Sequence, residues 1–516
     1  MADVHIGFQR LVELHQLQLV QPLFTRSRIG TRLQREEASG REIKTWTPSY
    51  QPEDSLRGHF EFGLKYERIN LEFFSRLFTT IDPEEVAGWV RQEPTGIYAR
   101  RTAFYFEWIT GKQLSVADCK STVGYVDALP SDLYLTAARA ERNRRWRVNN
   151  NMPGTPAFCP LMHLGPADQR DWVYDVAAGV KELDERYGAE ILLRSAAWLT
   201  FKESRASFAI EHEADQEDRV KRFAAVIQEY SGHLEDAMAP ANLDMLQRAV
   251  LGDAALRTGV RQSPVFVGES TFRGQIVHYV APAEPAVEPM LDALRELEVR
   301  TREMPGVARI AAISFGFVYL HPLADGNGRI HRFLINHLLA GDGLVPPTII
   351  VPVSATIAGT ARARAEYDQV LEAISKPFMK RYADAYRFGE LRKCPDGVTT
   401  DFEFLQIEDA GHVWRFLDLT EHTRYLSAVL RQTVEHEMAE EAQLLRQNDR
   451  ARAAIKRVVE MPDHDADRII RSLKESNWMV SDKLRKTLPE IFQDDGKLHS
   501  RQDRIIAAVK TAFEDT

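Results

Sequence analysis

Residues 321–332, which read HPLADGNGRIHR, bring together side chains that could carry out phosphate chemistry. His321 can act as a general base, because the ordinary pKa of histidine lies near neutrality. Asp325 can bind a hard divalent cation through its carboxylate, and Arg329 and Arg332 can neutralise phosphate oxygens. So many of these groups in one short stretch predict a site for a polyphosphate.

The residues that follow predict a helix that begins at the glycines. Residues of one helix face recur at steps of three and four, at Ile330, Phe333, Leu334, His337 and Leu338. Gly326 and Gly328 then lie at the amino end of this helix, where unpaired N–H groups and the helix dipole favour an anion. Because glycine has no Cβ, phosphate oxygens can approach the backbone there.

The pattern of residues 321–332 resembles the signature of the Fic family, H-x-F-x-[D/E]-G-N-G-R-x-x-R. The matching positions are His321, Asp325, Gly326, Asn327, Gly328, Arg329 and Arg332. Leu323 stands where the family usually has Phe, which changes the packing of the loop more than its chemistry. The resemblance implies a mainly α protein, with a Fic helical core and a β-hairpin flap flanked by helical amino- and carboxy-terminal regions.

The resemblance also implies a reaction and a role for each residue. His321 would be the catalytic base, and Asp325 would be the ligand of Mg²⁺. The residues implied to bind the nucleotide are Gly326, Asn327, Gly328, Arg329 and Arg332. The protein would be an adenylyltransferase that moves AMP from Mg·ATP to a Ser, Thr or Tyr hydroxyl of a target protein.

Residues 207–211, which read SFAIE, resemble the inhibitory motif [S/T]-x-x-x-E-[G/N] that many Fic proteins carry upstream of the core. The resemblance implies an inhibitory helix at about residues 200–212, with Ser207 and Glu211 as the motif residues. Glu211 would pair with Arg332 and so keep ATP out of its productive pose. His212 stands where the family has Gly or Asn.

Two short runs rich in β-branched and aromatic residues, 263–268 and 275–280, predict a β-hairpin with a six-residue connection. The resemblance identifies residues 263–280 as the flap over the active site. An extended segment of the target protein could add to the exposed edge of this hairpin through backbone hydrogen bonds.

Several alternatives stay open on the residues alone. The glycine-rich stretch could be an ordinary turn, whereas an EF-hand fails because no Glu closes a twelve-residue loop. The site could use another nucleotide, or remove AMP from a modified protein. The chain could also be an inactive Fic-fold regulator that binds protein or nucleic acid. A basic cluster around Trp146 and a faint helix-turn-helix outline near residues 467–488 are the candidate surfaces for nucleic acid.

Composition limits the remaining possibilities. A chain of 516 residues with 44% hydrophobic residues predicts two or three domains. We expect a helical region at 1–185 that could recruit targets, a Fic domain at 186–388, and a mostly helical domain at 389–516. The net charge of −9 argues against nucleic acid as a general partner. Three scattered cysteines and no signal-like start favour a cytoplasmic protein without a membrane anchor, and a homo-oligomer is possible.

Overall fold

The protein is described by a computed structural model that covers residues 4–38, 40–120, 122–213, 215–252, 257–272, 274–492 and 496–514. Within these ranges helices dominate, with four small sheets between them, so the prediction of a mainly α fold is confirmed. Among the described residues, no helix is both long enough and apolar enough to cross a membrane. Cys119, Cys159 and Cys394 are buried free thiols.

The elements of the amino-terminal part are β1 (His5–Ile6), α1 (Phe8–Leu14), β2 (Thr25–Ile29), β3 (Gln34–Ala38), β4 (Arg41–Trp46), α2 (Leu56–Tyr66), α3 (Leu71–Thr80), α4 (Pro83–Gln92), α5 (Ile97–Thr110), β5 (Val126–Asp127), β6 (Glu141–Asn143), β7 (Val148–Asn150) and α6 (Val176–Tyr187). The sheets β1-β2-β4-β3 and β5-β7-β6 were not expected from the sequence. Their strands carry many charged residues and few apolar ones, so they lack the apolar alternation that predicts a strand.

The elements of the central part are α7 (Ala189–Ile210), α8 (Glu217–Tyr230), α9 (Pro240–Leu251), β8 (Phe266–Thr271), β9 (Gly274–Val280), α10 (Glu284–Arg300), α11 (Val307–Leu320), α12 (Asn327–Gly341), α13 (Val353–Ala358) and α14 (Ala361–Arg381). Helix α11 is buried along nearly its whole length, because its side chains are apolar on every face. It forms the centre of the largest hydrophobic cluster and ends at the loop that begins with His321.

The hairpin of β8 and β9 is antiparallel, as predicted, but its connection is shorter. Only positions 272 and 273 separate the strands, where six residues were expected. The outer halves of both strands are exposed and polar, so backbone pairing rather than burial holds them. Such pairing leaves no apolar alternation in the sequence, which explains why the strand ends were misplaced.

The elements of the carboxy-terminal part are β10 (Tyr386–Lys393), β11 (Thr399–Phe404), α15 (Ile407–Trp414), α16 (Thr420–Gln432), a π-helical turn (Thr433–Met438), α17 (Ala439–Val458), α18 (Asp463–Glu475), α19 (Asp482–Thr487), α20 (Pro489–Phe492) and α21 (Gly496–Glu514). Residues from Ala451 onward form a separate hydrophobic cluster, which fits the predicted small helical bundle. The domain boundaries near 185 and 388 stay predictions.

Trp146, at the centre of the basic cluster, is fully buried. Its indole N–H donates to Glu107, and the same carboxylate accepts from Arg145. An aromatic ring that is buried in this way cannot stack on nucleic-acid bases. The packing therefore removes the main feature that made this cluster a candidate nucleic-acid surface.

Candidate functional site

The loop that begins with His321 joins the buried end of α11 to the start of α12. The backbone of His321 is left-handed, with φ 50° and ψ 57°, and its N–H donates to Phe317 O at 2.9 Å, which closes the helix. Gly326, with φ 88°, precedes the first residue of α12, Asn327. The N-terminus of α12 therefore lies directly after the glycine, as the sequence predicted.

The imidazole of His321 is held in one tautomer. Its Nδ1 lies 3.0 Å from Val318 O, and because a carbonyl can only accept, Nδ1 carries the proton. Nε2 is left with a lone pair. Burial, reinforced by the nearby positive charge of Arg261, lowers the pKa of His321 to about 4. At neutral pH the ring is therefore uncharged and able to accept a proton at Nε2.

Internal hydrogen bonds brace the loop. The side-chain amide of Asn327 accepts from Leu323 N at 3.0 Å and donates to Leu323 O at 2.8 Å. Leu323 itself is fully buried, so the leucine fills the apolar position where the family usually has Phe. Gln247 of α9 donates to Asp325 O at 2.8 Å. Asn327 thus fixes the shape of the loop, and Gln247 supports it from outside.

Asp325 is the one acidic side chain of the loop and is 66% exposed. Its Oδ1 accepts from Gly326 N at 2.6 Å and lies 3.4 Å from Arg329 Nη2. Its Oδ2 accepts no hydrogen bond from any described residue. A single exposed carboxylate fits Mg²⁺, which usually takes one or two carboxylates and completes its shell with water and substrate phosphates.

Arg332 is buried and paired with the end of α7. Its Nε donates to Ser207 Oγ at 2.8 Å, and its Nη2 donates to Ser207 O at 3.0 Å and to Glu211 Oε1 at 2.8 Å. Burial alone would raise the pKa of Glu211, but the charge and hydrogen bond of Arg332 outweigh it and lower that pKa. The expected pair of Glu211 and Arg332 is therefore present, with Glu211 ionised.

The carboxylate of Glu211 also lies against the first turn of α12. A Cβ placed on Gly328 would come within 2.4 Å of Glu211 Oε1. Gly328 therefore leaves the space that the carboxylate fills. That space is at the helix N-terminus, where the sequence predicted an anion.

A second carboxylate from the same turn, which was not predicted from the sequence, contacts the other arginine. Glu213 Oε2 accepts from Arg329 Nη1 at 2.5 Å and lies 3.2 Å from Arg219 Nη2. Between the two acids, His212 has a left-handed backbone with φ 60°. This conformation explains why Gly or Asn suits the position. An acid two residues after the motif was the only available sign of Glu213.

The loop opens onto a cleft of about 920 Å³. The flap, the residues from His321 to Arg329 and one face of α14 line it, including Tyr367 and Lys376. This volume is in the range of clefts that hold small-molecule ligands. The cleft therefore brings together all the predicted site residues except Ser207 and Arg332, which lie behind Glu211.

Arg261, just before the flap, ties the flap to the loop and was also missed. Its guanidinium is buried and donates to His321 O at 2.7 Å, Ser263 O at 2.8 Å and Pro282 O at 2.6 Å. From β9, Tyr279 Oη donates to Tyr319 O at 3.0 Å. No sequence motif contains Arg261, because its role arises only when three distant segments meet.

Residues 214–339 match the model of the Fic/DOC family. A protein adenylyltransferase fic-1 from Caenorhabditis briggsae is 32% identical over 145 residues, which cover 27% of this chain and 25% of that protein. A protein adenylyltransferase Fic from Nematostella vectensis is 36% identical over 109 residues, or 20% of this chain and 23% of that protein. The chain thus matches only about a quarter of the length of these relatives.

The crystal structure of a Fic family protein from Desulfovibrio desulfuricans G20 aligns with 55% of this chain and 79% of that chain, at 19% identity and a TM-score of 0.38. The family match and the two relatives carry the assignment, because the matched segment contains the flap and the whole of residues 321–332. Residues 214–339 of this chain therefore match the Fic/DOC family.

Proposed function

We propose that this protein is an adenylyltransferase that moves AMP from Mg·ATP to a Ser, Thr or Tyr hydroxyl of a target protein, and that Glu211 restrains it. The observation that carries the proposal is the neutral imidazole of His321 beside the glycine-rich N-terminus of α12, at the mouth of the cleft. The names of the two relatives support the same reaction.

In this proposal His321 Nε2 takes the proton of the target hydroxyl. The hydroxyl oxygen forms a bond to the α-phosphorus, the bond from that phosphorus to the bridging oxygen breaks, and pyrophosphate leaves. The N-terminus of α12 stabilises negative charge on the phosphates, and Arg329 and Arg332 neutralise the terminal ones. Asp325 would hold Mg²⁺, which when bound offsets further phosphate charge.

The contacts at the end of α7 support autoinhibition. Glu211 occupies both the guanidinium of Arg332 and the space beside Gly328, and Glu213 occupies Arg329. A triphosphate that needs these groups must displace two carboxylates. The resting enzyme would therefore bind ATP weakly or in an unproductive pose.

Self-labelling with α-labelled ATP tests the proposal in wild type, Glu211→Gly, His321→Ala and the double variant. We expect strong labelling only in Glu211→Gly, at least about tenfold above wild type, because removing the carboxylate frees a charged donor. Glu217→Gly, which removes an exposed acid at the start of α8, is the matched control and should behave like wild type. Equal labelling in all variants would overturn both role assignments. Labelling of Glu211→Gly by GTP or UTP alone would identify another nucleotide.

A further inference from the structure

The cleft at His321 is called the Fic cleft below. A second cleft, of about 1040 Å³, lies on the other side of α14 from it. Ala373 and Ile374 of α14 line this second cleft, whereas Leu371 and Ser375 line the first. The remaining walls come from the β1-β2-β4-β3 sheet, the connection between α2 and α3, the loop between β7 and α6, and the start of α16. The proposed transfer reaction gives this cleft no role.

Two arginines line this cleft without a hydrogen-bonding partner among the described residues. Arg68 lies with Cζ 3.3 Å from the centroid of the Phe24 ring, and Arg424 lies with Cζ 4.9 Å from that of Trp172. In the described part of the chain Arg68 forms no ion pair, and Glu421, at 3.7 Å, is the only carboxylate within 4 Å of Arg424. Stacking on a ring leaves the N–H edges of a guanidinium available.

The neighbouring Arg170 shows the usual arrangement by contrast. Its guanidinium donates to Gly165 O at 2.9 Å and to Asp132 O at 2.6 Å. A partly buried guanidinium that gives up water without gaining a partner costs free energy, so such groups normally find one. Arg68 is partly buried and has no hydrogen-bonding partner among the described residues, which indicates that its donors can bind a ligand.

The carboxylates of Asp418 and Glu421 lie near the two guanidiniums at this end of the cleft. Burial first, and then the positive charges of Arg68 and Arg424, lower the pKa of His163 to about 3. Both guanidiniums therefore lie close enough to His163 to affect its charge. The negative charge of Asp418 has the largest effect of any acid on the pKa of Arg68, which it raises. Its Oδ1 already accepts hydrogen bonds from the N–H and the hydroxyl of Thr420.

Two acids at the sheet end of the cleft, Glu42 and Glu67, are also engaged, whereas Glu37 is exposed. Glu42 pairs with Arg35 and Lys44. Glu67 accepts from Phe8 N, and burial raises its pKa to about 7, which weakens its negative charge at neutral pH. Arg68 and Arg424 therefore keep N–H donors that are not engaged in a hydrogen bond to any described residue.

We propose that this cleft is a second binding site, for a small organic anion whose phosphate or carboxylate group lies between Arg68 and Arg424. Guanidinium groups match the geometry of both oxyanions. The volume leaves room for an organic body attached to the anionic group. This proposal does not rest on the proposed transfer reaction.

Isothermal titration calorimetry with pyrophosphate and with citrate, at constant ionic strength, tests the site in wild type, Arg68→Gln and Arg424→Gln. Arg142→Gln is the matched control, because Arg142 stacks on Tyr125 outside the cleft. Arg329→Gln reports any separate binding event in the cleft at His321, where pyrophosphate would be the leaving product. We expect one or both anions to bind wild type, about tenfold more weakly in Arg68→Gln and Arg424→Gln and unchanged in Arg142→Gln.

The choice of anion distinguishes a phosphate ligand from a carboxylate ligand. The proposal is overturned if neither anion binds wild type, if Arg68→Gln and Arg424→Gln bind as well as Arg142→Gln, or if only Arg329→Gln weakens binding. Should Arg68→Gln fail to fold, Arg424→Gln alone decides, because its side chain is 46% exposed and tolerates the change.

Discussion

Glu213 and Glu211 stand on either side of His212 and contact different arginines, so each acid can be removed separately. This arrangement makes the contribution of each carboxylate measurable. Glu211 belongs to a motif that the sequence analysis recognised. Glu213 does not, and its contact depends on how the chain turns after α7.

We predict that Glu213→Ala raises the affinity for ATP about five- to tenfold, because a freed charged donor contributes on the order of 1 kcal/mol to phosphate binding. The dissociation constant should be measured by calorimetry in a His321→Ala background, where no transfer consumes ATP. Glu217→Ala removes the same charge from an exposed position nearby. Equal effects of the two substitutions would mean that net charge, not the Arg329 contact, limits binding.

Much of the site could be predicted at the residue scale. The positions from His321 to Arg332 lie in sequence order within one loop and one helix start, so a contiguous pattern reveals them. Ser207 and Glu211 were also found by pattern, because one helical turn separates them. Arg261 and Gln247 could not be found, since they reach the loop only through tertiary contacts.

At the scale of elements, the flap and the loop that begins with His321 are joined by the guanidinium of Arg261, which donates to the carbonyl oxygens of His321, Ser263 and Pro282. Burial lowers the pKa of this side chain to about 10, so it stays charged at neutral pH. A planar fork can bridge several acceptors, whereas a lysine presents a single point charge. Arg261 therefore helps to fix the backbone of His321 relative to the flap.

We predict that Arg261→Lys lowers the kcat of the Glu211→Gly enzyme by roughly tenfold or more, with a smaller change in the KM for ATP, because misplacing a reacting group slows chemistry more than binding. Steady-state labelling of a target or of the chain itself gives both constants. Arg248→Lys, at an exposed arginine of α9 paired with Asp244, is the control. A raised KM with unchanged kcat would assign Arg261 to nucleotide binding instead.

The helices of the core were easier to predict than the strands. Helix α11 begins only a few residues before its apolar run, because burial on all faces leaves a continuous apolar signal. The two amino-terminal sheets gave no such signal. In β2, for example, Thr25 and Ser27 are the buried residues, and Arg26 and Arg28 alternate with them. The strand therefore has no apolar face that its sequence could reveal.

At the scale of the whole molecule, the structure buries several histidines in the neutral form. Burial lowers the pKa to about 4 or about 3 at His163, His321, His331, His337, His412 and His422. In the unfolded chain these rings take up protons near pH 6.5. Between pH 6.5 and about 4 the unfolded chain therefore binds more protons than the folded one.

We predict that the free energy of unfolding falls by a few kcal/mol from pH 7 to pH 5.5, because each such histidine contributes about 1.4 kcal/mol per pH unit below pH 6.5. Glu67 and Glu203, whose pKa burial raises to about 7, act in the opposite direction but are fewer. Urea unfolding at constant ionic strength measures the change. A midpoint that stays constant or rises over this range would contradict the prediction.

The largest hydrophobic cluster includes Val20, most of the central helices and residues of α16 and α17. Side chains from all three predicted regions therefore share one core, which no analysis of separate segments could anticipate. The bundle from Ala451 onward is different, since its cluster is built from its own helices. Local patterns predicted elements well, but the way distant elements share a core depends on contacts across the whole chain.

The left-handed backbone of His212 puts strain on the turn that carries Glu211 and Glu213. A side chain with a Cβ in that conformation costs about 1 kcal/mol, which glycine would not incur. If the two carboxylates released their arginines, His212 could adopt an ordinary conformation and recover that energy. We expect such a release to be favoured about fivefold over the same turn built with glycine, against the ion pairs and the backbone hydrogen bonds from Glu211 N and Glu213 N to Phe208 O.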